Sequence, residues 1–455
     1  MRRLFLPSVI LLLTGFVLAG CGGGSAATAT TAKPTTSAAT TAPAAATTSA
    51  PTAATASSAA ATRPAGSSVA GTTAPAAATS APAGTTAASS VTTASGGTIK
   101  IGMITSLTGP YNPLGGFNKQ AADLLVKQIN DAGGINGAKI ELSIEDDTSN
   151  PSQALTAVKK LIASKIVALI GPVFSSSCVA ILDEVEAAKI PMITQCAADS
   201  VVTPLRPDVF LGPQSTRIAA DQLLGYLKSE GKTKIALMHD STEYGSLGGS
   251  IIKADAAKYG ITSVDEQLYE LTATTFIPQL TKIKSGDAQA VISWGSGAPA
   301  VTITKEYKQL GITIPLAFSG AQASPLYLKP AGDAANGVII QCQLAPIGKY
   351  LPDSNPAKTL ITKFDADFMA AYNTPPAQFA YNTDDAIQLF VAAIKKAGPD
   401  PAKIRDAVEQ TKGFVSVDGT FNYSPTDHTG LGQEDIWISQ VTNGALVPTK
   451  YGNGK

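Results

Sequence analysis

From residue 98 onward the chain repeats one phrase: a short apolar run, a turn rich in glycine or hydroxyl residues, then a longer stretch whose apolar residues recur every three and four positions. Apolar runs at 98–104, 139–145, 166–170 and 190–193 read as strands, and the stretches 120–132, 151–163 and 179–189 between them as helices. A second series begins near residue 214. It has strands expected at 234–238, 290–294 and 315–318, and helices at 248–259, 277–285 and 299–310. After an apolar run at 337–342 come helical blocks at 356–372, 383–397 and 401–411, then a strand-like tail at 435–441. A strand that rejoins its own sheet through a helix must run parallel to its neighbour, so the pattern demands two α/β units with parallel sheets.

The preceding residues cannot share that core. Residues 25–97 are almost all Ala, Thr, Ser and Pro, with Lys33 and Arg63 as their only charges. Such a composition buries too little apolar surface to offset chain entropy, so it reads as a disordered tether (22–97) spanning roughly 50 Å as a flexible coil. Before it, Arg2 and Arg3 lead into an apolar stretch of about 15 residues, a secretion-signal length and short of the roughly 20 that span a bilayer. The ending LAGC at 18–21 resembles the bacterial lipobox. That resemblance implies a signal peptide over 1–21, diacylation of Cys21, and a protein held outside the bacterial cell membrane by lipid alone.

The remaining composition excludes several functions. Lys plus Arg (34) balances Asp plus Glu (34), so no basic field points to nucleic acid. Two histidines, His239 and His428, lie far apart in sequence and supply poorly either a metal site or a His-dependent triad. No metal and no cofactor is expected. With Cys21 assigned to lipid, Cys178, Cys196 and Cys342 remain, and spacing alone does not pair them.

One turn is richer than a turn requires. GPVFSSSC, residues 171–178, joins an apolar run to a helix and places three hydroxyls where one cap would suffice. Together with SLTGPYNPLGG (106–116), AGGINGAKIELSIEDDTSNP (132–151), AAKIPMIT (187–194) and STEYGSLG (241–248), it resembles the type I periplasmic binding proteins. The similarity is greatest to the leucine/isoleucine/valine-binding group that feeds ABC importers, and it runs over essentially all of 98–450. The resemblance implies two doubly wound (Rossmann-like) lobes joined by three crossover segments: 98–213 plus 342–432, and 214–341 plus 433–450. It implies a monomer that traps a small molecule between the lobes and hands it to an ABC permease and its ATPase.

Within that frame Ser175 matches the residue that holds the ligand carboxylate, and Ser176 stands beside it. A helix amino end supplies free N–H groups and a positive dipole end to a carboxylate. Tyr244 matches a tyrosine that closes over the ligand from the second lobe. Elsewhere the chain departs from the family pattern. Ala198 replaces a hydroxyl-bearing residue in the loop that also holds Cys196. Gly320 falls where an acid pairs with the ligand ammonium, Leu114 where an aromatic lies, and Ser296 or Gly297 where an aromatic hydroxyl lies. Asp199 and Glu243 remain as alternative sources of a carboxylate. A buried ammonium without an anion is costly, so a deaminated acid, an aromatic acid or an amide is expected before a simple branched-chain amino acid. Cys178 and Cys196 follow neighbouring strands on one cleft edge, and a disulfide between them is expected.

An enzyme is a poor alternative, because the chain has no G-x-G-x-x-G after its first strand, no Walker motif and no G-x-S-x-G elbow. A ligand-sensing lipoprotein that partners a membrane receptor is the competing binding function.

Overall fold

The computed structural model describes residues 96–454. The expected signal peptide, Cys21 and the expected tether as far as residue 95 lie outside the described residues. In chain order the first elements are β1 (Thr98–Thr105), α1 (Asn112–Asp131), β2 (Lys139–Asp146), α2 (Pro151–Ala163), β3 (Ala168–Ile170), α3 (Ser175–Ala188), β4 (Met192–Ile193) and β5 (Val209–Phe210). Their strands form one parallel sheet in the order β2-β1-β3-β4-β5. The next are α4 (Thr216–Ser229), β6 (Lys234–Asp240), α5 (Glu243–Asp255), β7 (Thr262–Tyr269), α6 (Ile277–Ser285), β8 (Ala290–Trp294), α7 (Pro299–Gln309), β9 (Leu316–Phe318), α8 (Pro325–Ala331) and β10 (Ile339–Cys342). Then come α9 (Pro356–Tyr372), α10 (Gln378–Ala397), α11 (Pro401–Glu409), β11 (Phe414–Val415), β12 (Thr420–Ser424), β13 (Asp427–Gly430), β14 (Trp437–Thr442) and β15 (Ala445–Pro448).

The second sheet runs β7-β6-β8-β9-β10-β14-β15, with β14 and β15 antiparallel at one edge. Its five parallel strands repeat the order of the first sheet. The two lobes are therefore copies of one doubly wound plan, each with its switch point beside its first strand. Every residue of β8 is buried, as a strand covered on both faces requires.

α9, α10 and α11 return to the first lobe. Gln128 of α1 donates to Asp367 of α9, Asn118 of α1 donates to the Phe379 carbonyl, and Arg405 of α11 donates to the Pro207 carbonyl. The small antiparallel sheet β11-β12-β13 also sits there, with Tyr423 donating to the Leu211 carbonyl at 2.8 Å. The chain thus passes between lobes after β5, after β10 and after β13.

Four helices begin earlier than their apolar spacing predicts, α1 at Asn112, α3 at Ser175 rather than 179, α5 at Glu243 rather than 248 and α10 at Gln378, and all four starts border the cleft. α1 starts at Asn112 rather than near 120, with Pro113 in its first turn, where a missing N–H costs nothing. Gly115 permits this start: a Cβ there would lie 2.0 Å from the Ser106 carbonyl oxygen. α10 starts at Gln378 rather than 383, which puts Gln378 and Asn382 in its first turns.

Candidate functional site

The carboxyl ends of both sheets face one another across a cavity. Tyr111 and Leu114 reach it from the loop and helix after β1, Ser175 from the start of α3, and Gln195 and Cys196 from the loop after β4. The second lobe contributes Tyr244 after β6, Ser296 after β8, and Gly320 with Ala321 after β9. Gln214 and Gln343 stand on the first two crossovers, and Gln378, Phe379 and Asn382 on α10 close the wall. The cavity offers about 40 Å³ to the centres of water-sized atoms, room for roughly three such groups. Both switch points open onto it, the general position for ligands in doubly wound sheets.

Six of the residues singled out from the sequence line this cavity: Leu114, Ser175, Cys196, Tyr244, Ser296 and Gly320. Ser175 is the first residue of α3, and the N-cap, Phe174, provides no side-chain cap. The helix amino end is therefore left to other partners. Ser176 and Ala198 are not on the wall. The Ser176 hydroxyl accepts the Glu243 N–H of the other lobe at 3.4 Å. Ala198 is fully buried and precedes the short turn Asp199–Val201. Ser177 points into the fold, with a hydroxyl that has no partner. Cys178 and Cys196 are joined by a disulfide with their Cα atoms 6.8 Å apart, tying the α3 start to the loop after β4. Cys342 is free and buried.

The lobes touch through several polar contacts, among them Thr216 Oγ1 donating to the Ala197 carbonyl and the Arg217 N–H donating to Asp199. Tyr111 Oη and Ser296 Oγ lie 2.6 Å apart, Ser200 Oγ donates to Glu243 Oε1 at 2.7 Å, and Glu243 N–H meets Ser176. These contacts consume Glu243. Asp199 is also engaged: it accepts the Arg217 N–H at 2.8 Å, and burial raises its carboxyl pKa. Neither lines the cavity. Asp240, at the end of β6, accepts the Thr242 and Ser296 N–H groups at 2.9 and 3.2 Å, and burial raises it too. It holds two cleft loops from behind.

Among the described residues lining the cavity, none carries a full charge. Beside the hydroxyls of Tyr111, Ser175, Tyr244 and Ser296, the polar surface is made of amides. Gln195, Gln214, Gln343, Gln378 and Asn382 are each at most 5% exposed. Behind them lies a group of buried carboxyls. Asp418 accepts from Asn382 Nδ2 at 2.8 Å and from Gln378 Nε2 at 3.1 Å, and burial pushes it up to about 7. Burial, then the charges of Asp418 and Asp384, hold Asp385 well above the carboxylate range. Burial brings Asp384 to about 6. The sequence pattern reveals neither the five amides nor Tyr111. Their signal is weak: Gln214 and Gln343 stand where the chain leaves a lobe, and Gln378 follows a Pro-Pro-Ala turn, but spacing gives none of them a ligand-facing role. Among the described residues no group of three His, Cys, Asp or Glu is placed to hold a metal ion.

Comparison with known proteins agrees with this geometry. A family model described as "Periplasmic binding protein" matches residues 98–445. The "Leu/Ile/Val-binding protein homolog 3" of Brucella melitensis is 26% identical over 338 residues, covering 73% of this chain and 88% of that protein. The structure of a periplasmic binding protein type 1 from Bordetella pertussis Tohama I is 28% identical with a TM-score of 0.70, covering 77% of this chain and 100% of that one. An ABC-transporter solute-binding protein of R. palustris, solved in complex with benzoate, is 25% identical with a TM-score of 0.69, covering 77% of this chain and 95% of that one.

Proposed function

This chain belongs to the periplasmic binding protein family, and from that premise we propose that it is an extracytoplasmic, lipid-anchored solute receptor for an ABC importer. It captures a small metabolite, an amino acid or a related carboxylate or amide, between its two lobes. The closed form then docks on the permease, whose ATPase drives uptake. Cys21 carries the lipid, and the Ala/Thr/Ser/Pro tether lets the lobes reach solute and permease in turn. The observation that carries this reading is the cavity itself. It is walled by loops at the carboxyl ends of both sheets and by two of the crossovers. A solute there contacts both lobes at once and favours the closed arrangement, because it binds that arrangement better than an open one.

A thermal-shift screen of the full-length protein, stripped of carried-over ligand by partial unfolding and dialysis, tests it. The panel holds amino acids, their deaminated acids, aromatic acids and small amides. A solute at 100 times its Kd adds about 2.7 kcal/mol of stability, read as a higher melting temperature. A flat response to every class contradicts solute capture.

A further inference from the structure

The buried amides of the cleft wall are not interchangeable, because their outward hydrogen bonds fix which end of each faces the ligand. Thr383 Oγ accepts from Asn118 Nδ2 and donates its own proton to the Phe379 carbonyl, each at 3.0 Å. It has no proton left to give, so Gln195 must offer it Nε2, at 2.5 Å, and Gln195 Oε1 is left without a protein partner. Gln378 Nε2 donates to Asp418 Oδ2 and to Gln343 Oε1, so Gln378 Oε1 is also unpaired. Gln343 spends its oxygen on Gln378 and leaves its NH2 unpaired. Gln214 Oε1, on the first crossover, is unpaired as well.

Buried polar atoms of this kind demand complementary partners. Three amide oxygens ask for N–H donors, and one amide NH2 asks for a carbonyl. An ammonium would satisfy the oxygens, and a carboxylate the NH2 and the α3 amino end. Either ion would nevertheless be buried against a wall with no opposite full charge, and that costs far more than burying a neutral group. Beside the amide wall lies a second chamber of about 180 Å³, largely apolar, bounded by Pro113, Leu326 and the shared Leu114 and Phe379.

Resting on the solute-capture reading above, we infer that the ligand is an uncharged carboxamide with a short apolar tail. Its N–H groups are held by Gln195 and Gln378, and its carbonyl by Gln343. The same wall selects against the acid of identical shape.

Calorimetric titration of the full-length protein with isobutyramide, isobutyrate and valine tests this, with propionamide and propionate as a second isosteric pair. At least one amide binds tenfold or more tightly than its acid and than valine. Gln195→Met and Gln378→Met each weaken that amide tenfold or more; the two variants guard against one failing to fold. Valine or an acid binding more tightly than either amide ends the assignment while leaving solute capture standing. So does amide affinity unchanged in both variants. No heat from any amide, acid or amino acid overturns both readings.

Discussion

The two walls of the cleft are built on the same strand order but from different chemistry. The first lobe and its crossovers present amides whose orientations are locked by hydrogen bonds to Thr383 and Asp418, with buried carboxyls behind them. The second lobe presents Tyr244, Ser296, Gly320 and Ala321. A Cβ at Gly320 would lie 2.8 Å from Gln214 Nε2 and from Gln341 Oε1, so a larger residue there would displace both amide ends. The difference suggests a division of labour, in which one lobe recognises and the other covers. Lesions in the first should change both ligand-free stability and affinity. Lesions in the second should change closure.

The largest effect concerns the foundation of the first wall. Asp418 titrates at about 7 in the fold against an ordinary 3.8, so the folded state holds its proton more tightly than the unfolded chain does. Its contribution to stability is complete below the ordinary value and is lost as pH rises through about 7. At about 1.4 kcal/mol for each pH unit separating the two values, the loss is on the order of 4 kcal/mol. Urea unfolding of the ligand-free protein at several pH values between 4 and 8 should show this decline. Asp418→Asn should make the decline shallower, leaving the share carried by Asp384 and Asp385, and an unchanged slope in that variant would remove Asp418 as a source.

Next comes the disulfide, which closes a loop of 18 residues and by chain entropy contributes roughly 3 kcal/mol. Replacing Cys178 and Cys196 with serine should lower the melting temperature of the first lobe and loosen the Ser175 and Gln195 loops together. A melting temperature equal to wild type would show that the tie adds nothing. Gln378→Met follows. A ligand N–H that loses its buried acceptor costs about 1.4–3 kcal/mol, read as a solute weaker by about tenfold to somewhat over a hundredfold, mostly through faster dissociation in stopped-flow measurements. The smallest effect belongs to the second wall. Ser296→Ala removes the 2.6 Å contact with Tyr111 and should weaken binding by about 1 kcal/mol, with ligand-free urea unfolding unchanged. A Ser296→Ala loss larger than that of Gln378→Met would reverse the division of labour.

The two walls also differ in how far the sequence revealed them. Helix and strand order could be read because sheets covered on both faces need continuous apolar runs, as in 290–294, and their crossover helices need a period near four. Ser175 and Tyr244 could be picked out because each matches a ligand-contacting position in the family pattern, and the structure puts both on the cavity wall. The amides could not. Gln343 and Gln378 are separated by the whole of α9, and only tertiary packing brings them to the 2.6 Å contact that orients both. The earlier start of α10 was hidden for a related reason: its first turn is buried, so Gln378 and Asn382 lack the exposed polar face that marks a helix start. Ala198 shows the converse. Its position in the loop after β4 suggested a wall residue, but the chain turns there into the segment that leads to Arg217 and Asp199, and its methyl is buried in the fold.

The central claim is capture between moving lobes, and one distance tests it most directly. Cysteines introduced at Lys127 on α1 and Lys258 after α5, both exposed, would carry a fluorescent donor and acceptor, one on each lobe. Cys342 is buried and Cys178 and Cys196 are paired, and a lipidated Cys21 has no free thiol, so labelling is confined to the two introduced sites. With a solute that stabilises the protein in the thermal screen, the inter-lobe distance should shorten and narrow to one population, and Ser296→Ala should restore part of the longer one. An unchanged distance distribution at saturating solute would mean that the solute binds elsewhere or that the lobes do not close on it.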